Sequence, residues 1–291
     1  MSAIAEALAH LARHTLGEGA RIGQGSDMLR LVQALGDQRN RTDVQALAGF
    51  CRLFLRAYEN YDYDPRRNGE AWLLQRLQSV SPRVVLDVGA NIGSWSALAA
   101  ELLPDASIHA FEPVPETFRA LAAQAAALGG RVQAHAFGLA DRDGEIELNV
   151  VEDDATLSSI VALHRGAQRR VACRMRRGDA FLAEQGIAHV DLLKIDVEGA
   201  EPLVLAGLVE TLAAGRVDVI QFEYGRANIL TKFLLRDFHQ TLEPLGYRVG
   251  KLFPDRVDFR DYQYEHEDFV GPNFVAVRGA RNDINDLLTR V

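Results

Sequence analysis

The sequence is poor in the residues that staple or anchor a chain. Two cysteines in 291 residues, Cys51 and Cys173, exclude a disulfide framework, and their spacing fits no metal-ligand pattern. Both are expected to be reduced and buried: Cys51 follows Phe50, and Cys173 alternates with Val171 and Met175. No uninterrupted apolar run approaches the ~20 residues of a membrane-spanning helix. No basic segment followed by a long apolar core opens the chain, so the cytoplasm is the expected location. Positive charge is also short. With 32 Lys and Arg against 40 Asp and Glu the net charge is -8, which argues against a nucleic-acid footprint. The basic runs Arg169-Arg170 and Arg174-Met175-Arg176-Arg177 read as solvated charge, with a grip on a substrate anion as the alternative.

What is present is the composition of a globular α/β chain, 48% apolar and 25% charged, long enough for one large domain and an extension. The chain is organised around residues 84–96, VVLDVGANIGSWS. An apolar run ends in Asp87. Gly89, Asn91 and Gly93 follow, and then a helical pattern with Trp95, Leu98 and Leu102 on one face. Strand, glycine turn and helix open a nucleotide-binding unit, with free N–H groups at the helix start. The next apolar run, residues 107–111, ends in Glu112, about 20 residues beyond the turn, where a carboxylate accepts hydrogen bonds from a ribose diol. The dinucleotide pattern G-x-G-x-x-G is missing, because Asn91 stands where pyrophosphate packing wants a bare glycine. An adenosine ligand without pyrophosphate fits better, and S-adenosylmethionine is the foremost candidate.

A second constellation lies at residues 190–197, an apolar strand interrupted by Lys194 and Asp196. Charges in a buried strand are costly unless paired or used, and residues two apart share a face. Ligands of doubly wound sheets bind at the carboxyl ends of the strands. Lys194, Asp196 and Glu198 are therefore the catalytic candidates. Asp196 or Glu198 can take a proton from a hydroxyl, while Lys194 holds the carboxylate or lowers the pKa of the hydroxyl. A structural Lys-Asp pair is the alternative. So is a divalent metal on Asp196, Glu198 and Glu223, which no spacing requires. Glu223, ending the strand 217–222, is a further acid/base candidate or a partner for Arg226. Tyr224 and Asn228 are candidates for shaping the substrate pocket. His135, alone on a strand, reads as a structural histidine.

LDVGANIG (86–93), HAFEPVPETF (109–118), DLLKIDVEGAE (191–201), IQFEYG (220–225) and NFVAV (273–277) resemble the FkbM family of S-adenosylmethionine-dependent methyltransferases, in order from about residue 70 to 277. The resemblance implies a class I methyltransferase (Rossmann-like) seven-stranded mixed sheet with helices on both faces, and O-methylation of a hydroxyl on a sugar, glycan or secondary metabolite. It places Glu70 near the cofactor, Asp87 toward the methionine amino group and Glu112 on the ribose. The adenine edge falls at Phe137 and Gly138, with Asp141 as an amino-group acceptor or a turn residue. A serine-containing spot, residues 156–159 preceded by Asp153 and Asp154, reads as a loop or substrate contact. The family's Leu-Asp becomes Gly178-Asp179, keeping a helix cap and losing a core side chain.

Amphipathic helices within 4–11, 28–35 and 44–58 precede this region, around a glycine-rich break at 17–25. They can cap the sheet, cover the substrate or join two copies. Tyr61 and Tyr63 are lid candidates. The expected division is an N-terminal helical extension, 1–80, and a methyltransferase domain, 81–291. The rival functions are a nicotinamide-dependent oxidoreductase and a non-catalytic adenosine-binding protein. Carbon or nitrogen methylation stays open.

Overall fold

A computed structural model describes residues 3–17, 25–151, 154–161 and 168–289. The chain divides into two compact units, Met1–Tyr58 and Glu59–Val291. The first holds helices α1 (Ala3–Leu16), α2 (Gly25–Gly36) and α3 (Thr42–Tyr58). Ala12 of α1 and Leu31 of α2 are buried, whereas no residue of α3 is. Cys51 lies on α3 and is exposed, contrary to expectation: an apolar neighbour does not bury a thiol when its helix buries no face. Most of the glycine-rich break, and Asp153, lie outside the described residues.

The second unit begins at Glu59 rather than near residue 81. The reason is α4 (Glu70–Leu77), whose Leu73, Leu74 and Leu77 are buried in the core. The unit continues with β1 (Val84–Val88), α5 (Ser94–Leu102), β2 (Ser107–Phe111), α6 (Pro115–Ala127), β3 (Val132–His135), β4 (Gly138–Ala140), β5 (Gly144–Val151), β6 (Asp154–Ser159), β7 (Gln168–Arg177), α7 (Gly178–Gln185) and β8 (Val190–Ile195). It ends with α8 (Glu201–Gly207), α9 (Val209–Ala213), β9 (Val217–Glu223), α10 (Arg226–Thr231), α11 (Leu235–Leu242), β10 (Tyr247–Phe253), β11 (Arg256–Phe259), β12 (Asn273–Arg278) and α12 (Asn282–Thr289).

The main sheet runs β11-β10-β12-β9-β8-β1-β2-β3. Strands β3, β2, β1, β8 and β9 are parallel, and β12 is antiparallel to both β9 and β10. This is the expected seven-stranded mixed sheet with one strand added. Strand β11 turns back on β10 at the edge of the sheet. Apolar layers cover both faces. Val85, Leu192, Val219 and Val275 pack under α4, α5 and α12, while Leu86, Leu193, Ile220 and Phe222 pack against α7, α8 and α11. The strand order reverses between β1 and β8, and in open α/β sheets the carboxyl ends of such a pair border the ligand crevice.

The insert forms a second sheet, β4-β7-β5-β6, in which Leu148, Val150, Cys173 and Met175 bury a common face. The basic runs on β7 serve as surface charge: Arg169 pairs with Glu116, Arg170 with Glu147, Arg176 with Glu184 and Arg177 with Glu210. Gly178 leaves room that the Leu208 side chain fills, so the core stays packed where a leucine at 178 would have supplied the bulk. Asp179 does not cap its own helix. It accepts hydrogen bonds from the backbone of Glu210 (3.0 Å) and Thr211 (3.0 Å), at the start of α9.

Candidate functional site

Parallel pairing sets Asp87 of β1 opposite Lys194 of β8, and Lys194 opposite Gln221 of β9. Register partners project to the same face, so the three side chains form a polar row across the sheet near its carboxyl edge. Lys194 Nζ donates to Asp196 Oδ2 at 2.9 Å and lies 3.8 Å from Asp87 Oδ1. It also lies 5.6 Å over the Trp95 ring. Burial disfavours the ammonium, but Asp196, Asp87 and Glu70 outweigh it and hold Lys194 protonated, with its pKa above the ordinary lysine value. Asp87 is fully buried. Its Oδ2 accepts from Ser96 Oγ at 2.6 Å, and burial raises its pKa. It stands behind Lys194 and lines none of the three cavities described below, so the expected contact with a methionine amino group is not formed by Asp87 itself. Glu70 accepts from Gln221 Nε2 (2.6 Å) and Asn68 Nδ2 (2.8 Å), and burial raises its pKa too.

The turn after β1 is built for close approach. Gly89 has φ +85°, and a β-carbon there would run into the Asp196 carbonyl oxygen. Asn91 also adopts the left-handed conformation, φ +52°. Its N–H donates to Glu112 Oε2 at 3.1 Å, and the Val114 N–H donates to Glu112 Oε1 at 2.8 Å. Burial pushes the Glu112 carboxyl up to about 7. Gly93 is the residue before α5 and lines none of the three cavities described below.

Three adjoining cavities open at the carboxyl end of the sheet. The first, about 270 Å³, lies between Glu112 and an apolar slot of Pro113, Leu139, Ile146, Leu148 and Met175, with Gly89 and Gly138 on its walls. The second, about 350 Å³, has Glu70, Ser94, Trp95 and Lys194 on its walls. The third, about 390 Å³, is lined by Tyr61, Glu201, Arg226, Asn228 and Phe269, together with Glu198 and Glu223. Gly89, Asn91 and Asp196 belong to both the first and second; Glu198 and Glu223 belong to both the first and third. Tyr63 lines all three and is still 61% exposed, a suitable place for a lid.

The acids at this junction differ in proton affinity. Burial would raise Asp196, yet Lys194 and a hydrogen bond from Glu223 keep its pKa below the usual carboxylate range. Burial, then repulsion from Asp196, raises Glu223 well above it. The two carboxyls titrate as a pair, with Glu223 the member that holds its proton more tightly. Glu198, with φ +48°, is pushed up to about 7 by burial and by Asp196. Glu201 is likewise pushed up to about 7 by burial. Its Oε1 accepts from Gly199 N at 3.0 Å and its Oε2 from Asn228 Nδ2 at 3.4 Å.

Lys194, Asp196, Glu198 and Glu223 thus come together, as do Glu70, Gly89, Asn91, Glu112 and Gly138. Phe137 does not join them: it packs with Phe111, His135 and Phe181, under the Arg174 and Arg176 guanidiniums. Asp141 does not either, lying beside Arg142 at 3.3 Å. Phe137 lies between β3 and β4 and Asp141 follows β4; the crevice is lined instead by Gly138, Leu139 and Ala140 of β4 itself. Tyr224 is fully buried, its hydroxyl bonded to Glu267. Arg226 makes no ion pair with Glu223 among the described residues. Ser158 and Ser159 do line the first cavity. His135 is a structural residue 3.1 Å from His109, its pKa lowered by burial to about 4. Sequence reasoning missed the apolar slot and Glu201. The alternation of Ile146 and Leu148 is visible, but nothing in it says what the face covers. Among the described residues, the metal-type side chains that converge within 4.8 Å are His189, Asp191 and Asp218. They sit at the amino ends of β8 and β9, where Asp218 is held by Arg281 and His189.

The residues fit S-adenosylmethionine on these observations. Glu112 retains lone pairs toward the first cavity, the apolar slot suits a purine, and the second cavity offers Glu70 and Ser94 to an amino acid. The chain is 32% identical over 197 residues to the antimetabolite synthetase AmbE of Pseudomonas aeruginosa, a match covering 53% of this chain and 9% of that protein. It is 34% identical over 158 residues to the 31-O-demethyl-FK506 methyltransferase FkbM of Streptomyces tacrolimicus, 43% of this chain and 59% of that one. Over 149 residues it is 30% identical to the 2-O-methyltransferase NoeI of Sinorhizobium fredii, 46% of this chain and 60% of that one. The chain therefore spans under two thirds of each of these relatives. Residues 87–249, more than half of the chain and most of the cavity-lining residues, match the methyltransferase FkbM domain, and the chain belongs to this family of S-adenosylmethionine-dependent methyltransferases.

Proposed function

We propose that this chain transfers a methyl group to a hydroxyl oxygen of a sugar or secondary metabolite, which binds in the third cavity. The observation that carries this reading is the shared wall. Glu198 and Glu223 border both the first cavity and the third, so an acid/base pair stands where donor and methyl acceptor meet. The names of two relatives, a 2-O-methyltransferase and a 31-O-demethyl-FK506 methyltransferase, agree with oxygen as the target.

When bound, S-adenosylmethionine supplies an electrophilic methyl group on a sulfonium. Glu112 holds the ribose hydroxyls, Pro113, Leu139 and Met175 enclose the adenine, and Glu70 with Lys194 orients the amino-acid end. The chain's own task is to place the hydroxyl and remove its proton. Glu198 is the base: its carboxyl is half ionised near pH 7, where proton acceptance is most effective. Asp196, fixed as an anion by Lys194, favours the proton on Glu223. Glu223 and Asn228 orient the hydroxyl-bearing group, and Tyr61, Tyr63 and Phe269 offer it aromatic faces.

The test has two stages. Calorimetry with S-adenosylhomocysteine is expected to show micromolar binding by the wild type and none by Glu112→Ala at matched folding. A panel of p-nitrophenyl hexosides and hexuronides with methyl-labelled S-adenosylmethionine then reports transfer. Failure of a folded wild type to bind either cofactor form sinks the reading.

A further inference from the structure

Lys251 is buried to 1% exposure on β10, outside the catalytic cluster. An ammonium has three protons, and here each has a partner. Nζ donates to Glu59 Oε2 at 2.6 Å, to the Val270 carbonyl at 2.9 Å and to Asp268 Oδ2 at 3.3 Å. The Phe253 and Phe274 rings lie 6.0 Å away.

The three partners belong to two segments without regular structure. Glu59 begins the one that carries Tyr61 and Tyr63. Asp268 and Val270 flank Phe269, held at φ +54°, a left-handed conformation that side-chain-bearing residues disfavour. Phe269 lines the third cavity and stacks on Tyr224 at 5.2 Å. The Val270 N–H closes the turn on Asp268 Oδ1 at 2.8 Å. Gly271, at φ +74°, lets this turn lie against the Glu59 carbonyl oxygen, where a β-carbon would collide. Asn60 continues the first anchor, donating to Leu252 O at 2.9 Å and Asn68 O at 2.7 Å. Glu267 fixes the loop before Asp268 separately, accepting from the backbone of Leu235 at 3.2 Å and Arg236 at 3.0 Å.

We propose that Lys251 is the positioning residue of the third cavity, one buried ammonium that ties the Tyr61–Tyr63 segment to the Phe269 turn and sets the distance between two aromatic walls. Its geometry stands alone; its effect on methyl transfer rests on the reading that this cavity takes the methyl acceptor. Strand ladders hold the cofactor half independently. Loss of the ammonium therefore loosens the third cavity and leaves the first intact.

The test compares the full-length wild type with Lys251→Met and with the triple variant Lys251→Met, Glu59→Gln, Asp268→Asn. The triple variant removes the orphaned carboxylates as well, so it folds even where the single variant fails. Hydrogen exchange read by mass spectrometry is expected to speed up by about tenfold or more, together, in peptides covering 59–64 and 268–271. Peptides covering 84–112 and 190–196 keep their wild-type rates, and the Kd for S-adenosylhomocysteine stays within about twofold. With the p-nitrophenyl glycoside best methylated by the wild type, KM rises by about tenfold while kcat falls by less than about threefold. The clamp is overturned if the two segments do not loosen together, or if the core strands loosen equally. A loosened cavity with unchanged KM overturns its positioning role. A wild type that binds no S-adenosylhomocysteine refutes the proposed function alone, and the exchange pattern still decides the clamp.

Discussion

Replacing Glu198 by glutamine removes a proton acceptor while keeping size and hydrogen-bonding capacity. General-base catalysis contributes about 10²–10⁴ in rate, so Glu198→Gln is expected to lower kcat by that factor, about 3–5 kcal/mol in barrier. Glu223→Gln is the matched control. Glu223 holds its proton more tightly than Asp196, and a glutamine N–H₂ can donate to Asp196 in its place, so kcat should stay within about tenfold of the wild type. The pH profile separates the two further. With Glu198 near 7, the base is inactive when protonated, so the wild-type rate should climb with pH and level off above 7. The Glu198→Gln variant should lose that limb, whereas Glu223→Gln should keep it. Single-turnover transfer of labelled methyl from saturating S-adenosylmethionine isolates the step from product release. Near-wild-type turnover by Glu198→Gln, or abolished turnover by Glu223→Gln with the fold intact, would refute the assignment.

Affinity for S-adenosylhomocysteine should fall below pH 7 by at most about tenfold per unit, because Glu112, pushed up to about 7, must be ionised to accept from ribose hydroxyls; flat calorimetric titrations from pH 5.5 to 8 would contradict this. Glu201 binds its proton more tightly folded than unfolded, so its contribution to stability is present at low pH and lost as pH rises from about 4.5 to 7, on the order of 3 kcal/mol in all. The stability of the wild type minus that of Glu201→Gln, from urea melts, should decline across this window. Gly89→Ala should fold poorly and lose the cofactor, since its β-carbon meets the Asp196 carbonyl; a normal melting temperature would refute that. A thiol reagent should modify one cysteine in the native protein, the exposed Cys51. It should reach the second only on unfolding, because Cys173 is 1% exposed and burial pushes its thiol up to about 12.

Local pattern carries much of this in the sequence. The apolar runs ending in Asp87, Glu112, Asp196 and Glu223, the glycine turn at Gly89 and the early proline after Glu201 mark strand ends and helix starts. Their chemistry depends on neighbours three to five residues away. Where partners are distant, local pattern is silent. Asp87 meets Lys194 only because β1 and β8 pair in that register. The protonation of Glu223 depends on Asp196 and burial together, and no spacing records burial. Phe137, Tyr224 and Cys51 depart from their expected places because an apolar neighbour or a strand end does not say what packs over a side chain. Lys251 reads as an ordinary strand lysine until Glu59 and Asp268 are brought to it. Hydrogen bonds within one helix turn or tight loop are decided by residues a few positions apart, and so by sequence. Charge states and cavity walls are decided by the packing of segments far apart in the chain, and so only by the tertiary structure.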